Sequence, residues 1–149
     1  MKSIFDKNTR EEVIYRINSL SNNSTANWGK MTVTQMVKHC AKCEEYYYGK
    51  LKVKRSILGR LIGKKVIKAI LKDETSALKK NAPTSPEFEV NEDKLDFEKE
   101  RAAWSQLIEG YENFDNEIFT HWFFGEMTKE QLGQFIYKHC DHHLRQFGA

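Results

Sequence analysis

The sequence predicts an all-α fold: a four-helix bundle with an additional basic helix and an aromatic linker. Three observations carry that expectation. Apolar residues recur at three- and four-residue spacing through most of the chain. The signature of a capped helix start, Thr-x-x-Glu/Gln, occurs at Thr9–Glu12, Thr32–Gln35 and Thr128–Gln131. Both prolines, Pro83 and Pro86, fall within one loop, and no stretch shows a convincing strand period. The 149 residues are enough for one domain with its own core, spanning 1–149.

The first helix is expected to start near Thr9, with Val13, Ile14, Ile17 and Leu20 as its stripe, and to end at the polar run Ser21–Ser24. The second opens at Thr32 and buries Met36, Val37, Cys40, Cys43 and Tyr47. The third covers 56–72. Its apolar side is Ile57, Leu58, Leu61, Ile62, Val66, Ile67, Ile70 and Leu71, and Gly59 and Gly63 weaken its propensity. The fourth runs from about Asp93 to Tyr111 on Leu95, Phe97, Trp104, Leu107, Ile108 and Tyr111. The linker Ile118–Gly125 is too aromatic to be a free loop and is expected to fold back on the core. The last helix starts at Thr128 and carries Leu132, Phe135, Ile136, His139, His143 and Phe147 on one face.

Ionisable residues interrupt two of these stripes. His39 sits where the second helix should present a hydrophobe, and His139 and His143 lie four apart on the last helix, one turn above each other. Taken alone, the pair reads more readily as core histidines satisfied by hydrogen bonds than as metal ligands. Joined by His39 across facing helices, it reads as a metal site, since bundle cores build such sites from side chains on facing helices. Three protein ligands leave a coordination position open, as catalytic metal sites do. Cys43, four residues after His39, is within reach of the same ion, although a buried structural thiol is the commoner role. Cys40 and Cys140 are expected in the core, His142 beside the site or at the surface, Gln146 near the site or at the helix end, and His121 in a structural role.

In its ordered motifs the chain resembles the DinB/YfiT-like metalloenzyme superfamily. That superfamily places one histidine on the second helix, here within Met36-Val37-Lys38-His39-Cys40. Its last helix often reads His-x-x-His-His-Arg-Gly-Gln; here the string is His139-Cys140-Asp141-His142-His143-Leu144-Arg145-Gln146. Leu144 and Arg145 depart from the pattern. Trp28–Thr32 and Phe123–Thr128 are similar to one branch of uncharacterised function. The resemblance implies a small four-helix bundle holding one divalent metal ion (zinc, nickel, iron or manganese) through His39, His139 and His143. It also implies an enzyme of thiol-transferase type, joining a low-molecular-weight thiol to a small electrophile. A metal-dependent hydrolase and a non-catalytic metal-binding or interaction protein are the alternatives. Relatives are often dimers, which implies a homodimer.

Composition limits the remaining classes. No apolar run approaches the roughly 20 residues that span a bilayer, the N-terminus lacks the apolar region of a signal peptide, and three cysteines make no disulfide framework. A cytoplasmic protein is expected, with no stable membrane insertion. Neither a Gly-rich phosphate loop nor a paired-cysteine ribbon is present. Between Lys50 and Lys72 stand nine basic residues and no acid, so the rest of the chain carries −6 against an overall +3. Residues 91–130 hold eleven acids and four bases. The basic stretch is therefore expected to be a solvated face balanced by the acid-rich fourth helix, or a dimer contact, with no nucleic-acid partner.

Overall fold

The computed structural model describes residues 1–92 and 94–149. Five α-helices and one small hairpin follow in the order α1 (Lys7–Ser19), α2 (Val33–Tyr47), α3 (Ile57–Ile70), α4 (Phe97–Glu109), β1 (Ile118–His121), β2 (Gly125–Thr128) and α5 (Lys129–Gln146). Single 3-10 turns lie at Pro86–Phe88 and Gly110–Asn113. The helices pack as a bundle: α4 lies against α1 and α2, and α5 against the same two. Helix α3 stands outside and rests on the hairpin.

The core follows the apolar stripes. Val13 and Ile17 from α1, Met36, Val37 and Cys40 from α2, Trp104 and Ile108 from α4, and Leu132, Ile136 and Leu144 from α5 are fully buried. Each large aliphatic or aromatic group so removed from water contributes about 1.5–3 kcal/mol before entropy is counted. Two of the expected capping boxes form. Thr32 accepts from Gln35 N and Thr128 from Gln131 N, each at 3.2 Å, with the glutamine side chain returning to the threonine N–H.

The expected cap at Thr9 does not form. Helix α1 begins at Lys7, Asp6 occupies the cap position, and Thr9 is buried in the first turn. The segment ahead of it is tied down from elsewhere: Ile4 N donates to Gly133 O at 3.1 Å, and the Phe5 ring stacks on Phe114 at 5.2 Å. These contacts start the helix earlier than the local motif does. The fourth helix also starts later than expected. Asp96 caps it by accepting from Lys99 N, and Leu95 lies before the helix; the expected start at Asp93 lies outside the described residues.

The aromatic linker is a β-hairpin, where no strand was expected. Phe119 pairs with Met127 and His121 with Gly125 around the loop Trp122–Phe124. Each strand has only four residues, too few for a period to stand out. As expected, the segment folds back: Phe119 lies 5.2 Å from Tyr46, and Phe124 lies 4.9 Å from Phe135.

The largest correction concerns α3. Of its expected apolar side only Ile67 is buried, while Ile57, Leu58, Leu61 and Ile62 face solvent. The inward positions are Gly59 and Gly63. A Cβ at Gly63 would stand 2.1 Å from Phe123 O, and one at Gly59 2.4 Å from the same atom, so only glycine lets the hairpin backbone come this close. The expected balance by acidic α4 does not take the form of ion pairs, since none among the described residues involves a base between Lys50 and Lys72.

Candidate metal centre

Helices α2 and α5 face each other across the bundle, and their stripes bring three histidine rings together. Ring centroids are 4.7 Å apart for His139 and His143, 5.0 Å for His39 and His143, and 5.6 Å for His39 and His139. His39 is 6% exposed and the other two 8%.

Hydrogen bonds define two of the tautomers. His39 Nδ1 lies 2.9 Å from Phe88 O. A carbonyl only accepts, so Nδ1 carries the proton and Nε2 keeps its lone pair. Phe88 comes from the turn at Pro86, which gives the proline loop a part in the site. His143 Nδ1 lies 2.9 Å from Gln146 Oε1. The amide of Gln146 is oriented by its other end, where Nε2 donates to Trp28 O at 2.7 Å. Its oxygen therefore faces His143, whose Nδ1 donates and whose Nε2 is left free. Gly29 makes room for this strap: its φ is +84°, and a Cβ there would meet Gln146 Nε2 at 2.6 Å. His139 Nδ1 is buried with no hydrogen-bond partner. An orphaned buried nitrogen is costly unless something else satisfies it.

Burial holds all three rings neutral. It pushes His143 down to about 3, with the His39 charge adding to the effect. It pushes His139 well below its ordinary range, reinforced by His143 and His39. His39 is lowered by burial too, against the opposing bond to Phe88. Neutral imidazoles with free lone pairs are what a metal ion needs.

Cysteines approach the same place. Two sets of donor atoms lie within 4.8 Å of one another: His39, Cys43 and His139, and Cys40, His139 and His143. His139 belongs to both. These buried groups can hold a metal ion, and the tight sets each combine two histidines with a thiol. Cys43 Sγ is 3.8 Å from His39 Nε2. Burial, then the nearby carboxyl of Glu44, drives the Cys43 thiol well above its ordinary range, and burial followed by Cys43 does so for Cys40.

Glu44 was not singled out in the sequence. It is fully buried on α2, receives a hydrogen bond from the Tyr111 hydroxyl, and lies 3.6 Å from Cys140 Sγ. Burial pushes it up to about 7, against those two hydrogen bonds. Its signal was available: an acid one turn after Cys40 on an apolar stripe.

The remaining candidates separate by role. Gln146 belongs to the site through His143. His121 is structural, its Nδ1 accepting from the N–H groups of Phe123 and Phe124 and so closing the hairpin loop. His142 is half-buried on another face of α5, with Trp28 5.5 Å from its ring. It lines a cavity of about 260 Å³ together with Trp28, Lys80, Tyr137, Asp141 and Arg145. None of the three clustered histidines lines that cavity.

Fold and site together define a helical protein whose bundle core carries a buried histidine–cysteine cluster able to hold a metal ion. The chain belongs to the DUF1569 family, described as proteins of unknown function, whose sequence profile matches residues 4–149. No curated protein and no solved structure matches the chain.

Proposed function

We propose that the chain is a DinB/YfiT-like four-helix bundle that binds one divalent metal ion through His39, His139 and His143 and acts as a metal-dependent enzyme of thiol-transferase type. One observation carries the proposal: the rings of three buried, neutral histidines on facing helices lie with centroids 4.7 to 5.6 Å apart, and two of them have Nδ1 committed to acceptors, leaving Nε2 for an ion. The orphaned Nδ1 of His139 adds support, because an ion satisfies a buried lone pair that no protein group does. Such an ion supplies Lewis acidity, which lowers the pKa of a thiol or water.

The chain's own residues then have defined parts. Phe88 O and Gln146 orient the rings of His39 and His143. Burial keeps all three rings unprotonated at neutral pH. The thiols of Cys40 and Cys43, which burial keeps protonated in the absence of an ion, line the cluster, and an ion that touched either would deprotonate it.

A second reading has its own observation. His39, Cys43 and His139 form one of the two tight donor sets, and a site completed by a thiolate suits a non-catalytic metal. Elemental analysis of protein purified without an affinity tag separates the two. The three-histidine site should carry about one equivalent of a divalent metal, lose it in His143→Ala and keep it in Cys43→Ser. Loss in Cys43→Ser with retention in His143→Ala would favour the second reading. For the reaction, metal-loaded protein is incubated with a low-molecular-weight thiol and an alkylating agent. Conjugation above background that vanishes in His39→Ala supports the transferase, and its absence in protein that holds metal moves the assignment to hydrolysis or a non-catalytic role.

A further inference from the structure

Helix α3 is built inside out. Gly59 and Gly63 face the hairpin, while Ile57, Leu58, Leu61 and Ile62 face away; only farther along does the helix turn a large residue, Ile67, inward. Ile57 is 81% exposed, Leu58 57%, Leu61 75% and Ile62 39%. These four fill the first two turns, and the next two turns present Lys64, Lys65 and Lys68 to solvent. Arg60 is exposed between them, with Lys50, Lys52, Lys54 and Lys72 exposed on the flanking segments. Two of the nine bases reach back to the hairpin: Arg55 donates to His121 O and Trp122 O, and Lys64 to Glu126 O. A monomer does not ordinarily leave neighbouring large aliphatics in water, and such a patch marks a contact surface.

We propose that the outward face of α3 seats this protein on an anionic lipid surface. An interfacial helix has aliphatic residues that enter the headgroup boundary and lysines whose stems lie along it while their ammonium groups reach lipid phosphates. A cluster of four to eight bases around such a helix is the charge pattern that anionic leaflets attract. The helix rests on the surface and does not cross it. Its 14 residues span about 21 Å, short of the roughly 30 Å of a hydrocarbon core, and no helix among the described residues is long and apolar enough to cross a membrane.

Charge sets the lipid surface apart from the other occupants. A two-fold contact between copies across α3 would bring two copies of the same basic patch into one interface, because both partners of such a contact use the same surface. A single strand would call for aromatic groups to stack on its bases, and a duplex, held through its phosphates, would leave the four aliphatics uncovered, whereas the exposed large apolar residues of α3 are all aliphatic. This inference is independent of the metal site.

The test is sedimentation of the full chain with vesicles of equal parts phosphatidylglycerol and phosphatidylcholine, against pure phosphatidylcholine. The protein should sediment with the anionic vesicles only and be released by high salt. Leu61→Asp should weaken binding about tenfold or more, and Lys65→Gln and Lys68→Gln about fivefold each, with unchanged circular dichroism and melting since all three side chains are exposed. Equal sedimentation with both vesicle types, or binding unaltered in Leu61→Asp, would overturn the proposal. So would a dimer in light scattering that Leu61→Asp splits, which assigns the face to a second copy. Retention on duplex DNA without vesicle binding assigns the bases to nucleic acid and overturns it as well.

Discussion

Gln146 sets a histidine through one amide. It touches Trp28 O with its nitrogen and His143 Nδ1 with its oxygen, so a strap from the α1–α2 connection decides which nitrogen of His143 is free. Removing such an outer partner commonly weakens a metal site 10- to 100-fold. Gln146→Leu should lower metal affinity by roughly that factor, read by competition with a chromogenic chelator; unchanged affinity would sever the amide from the site. Glu44 couples stability to pH. Its folded pKa is about 7 against an ordinary 4.5. The folded protein thus keeps a proton that the unfolded chain has lost between those values. The stability from this group is full below pH 4.5 and is lost as pH rises through about 7. Glu44→Gln mimics the protonated acid. Relative to the parent, it should gain about 3 kcal/mol between pH 4.5 and a pH above 7, measured by urea unfolding across that range. His121 runs the other way. Pushed down to about 3 by burial and then by Arg55, it contributes stability above its ordinary 6.5 that is lost as pH falls toward 3.

Elements differ in how local their causes are. The caps at Thr32 and Thr128 are readable because every atom of the motif lies within four residues. Thr9 carries the same letters and fails, since the Ile4–Gly133 bond and the Phe5 stack belong to other parts of the chain. Thr128→Ala should therefore cost about 1 kcal/mol, while Thr9→Val, with no cap to lose, should cost less; thermal unfolding of the two variants decides it. The seat of α3 gives a sharper contrast. Gly→Ala inside a helix ordinarily stabilises by up to about 1 kcal/mol. At Gly63 the new methyl would meet Phe123 O, and the sign reverses. Gly63→Ala should destabilise by about 2 kcal/mol and loosen the hairpin. A higher melting temperature in that variant would show that α3 does not sit this close.

Across the whole molecule, the metal reading makes the fold and the site one system. An ion bound only by the folded state adds about 2.7 kcal/mol at a hundredfold excess over its dissociation constant. Chelation should lower the melting temperature, and His143→Ala should abolish that response. Identical curves with and without chelator, in protein shown to carry metal, would separate site from stability.

Apolar spacing along the chain is enough to predict a mostly helical protein with His39, His139 and His143 on buried faces, because it ties a residue's face to its neighbours three and four away. For Gln146 the sequence left two roles open, near the site or at the helix end. Whatever depends on distant segments was settled by folding. It turned Ile57, Leu58, Leu61 and Ile62 of α3 outward, since the hairpin backbone claimed the glycine face beside them. It paired two four-residue strands, whose register rests on a partner rather than a period. It placed Glu44 under the Tyr111 hydroxyl, 67 residues away, and brought the thiols of Cys40 and Cys43 in among the imidazoles. The physical reason is common to these cases: periodicity reports which face of an element is apolar, whereas which neighbour covers that face is settled only when remote parts of the chain compete for it.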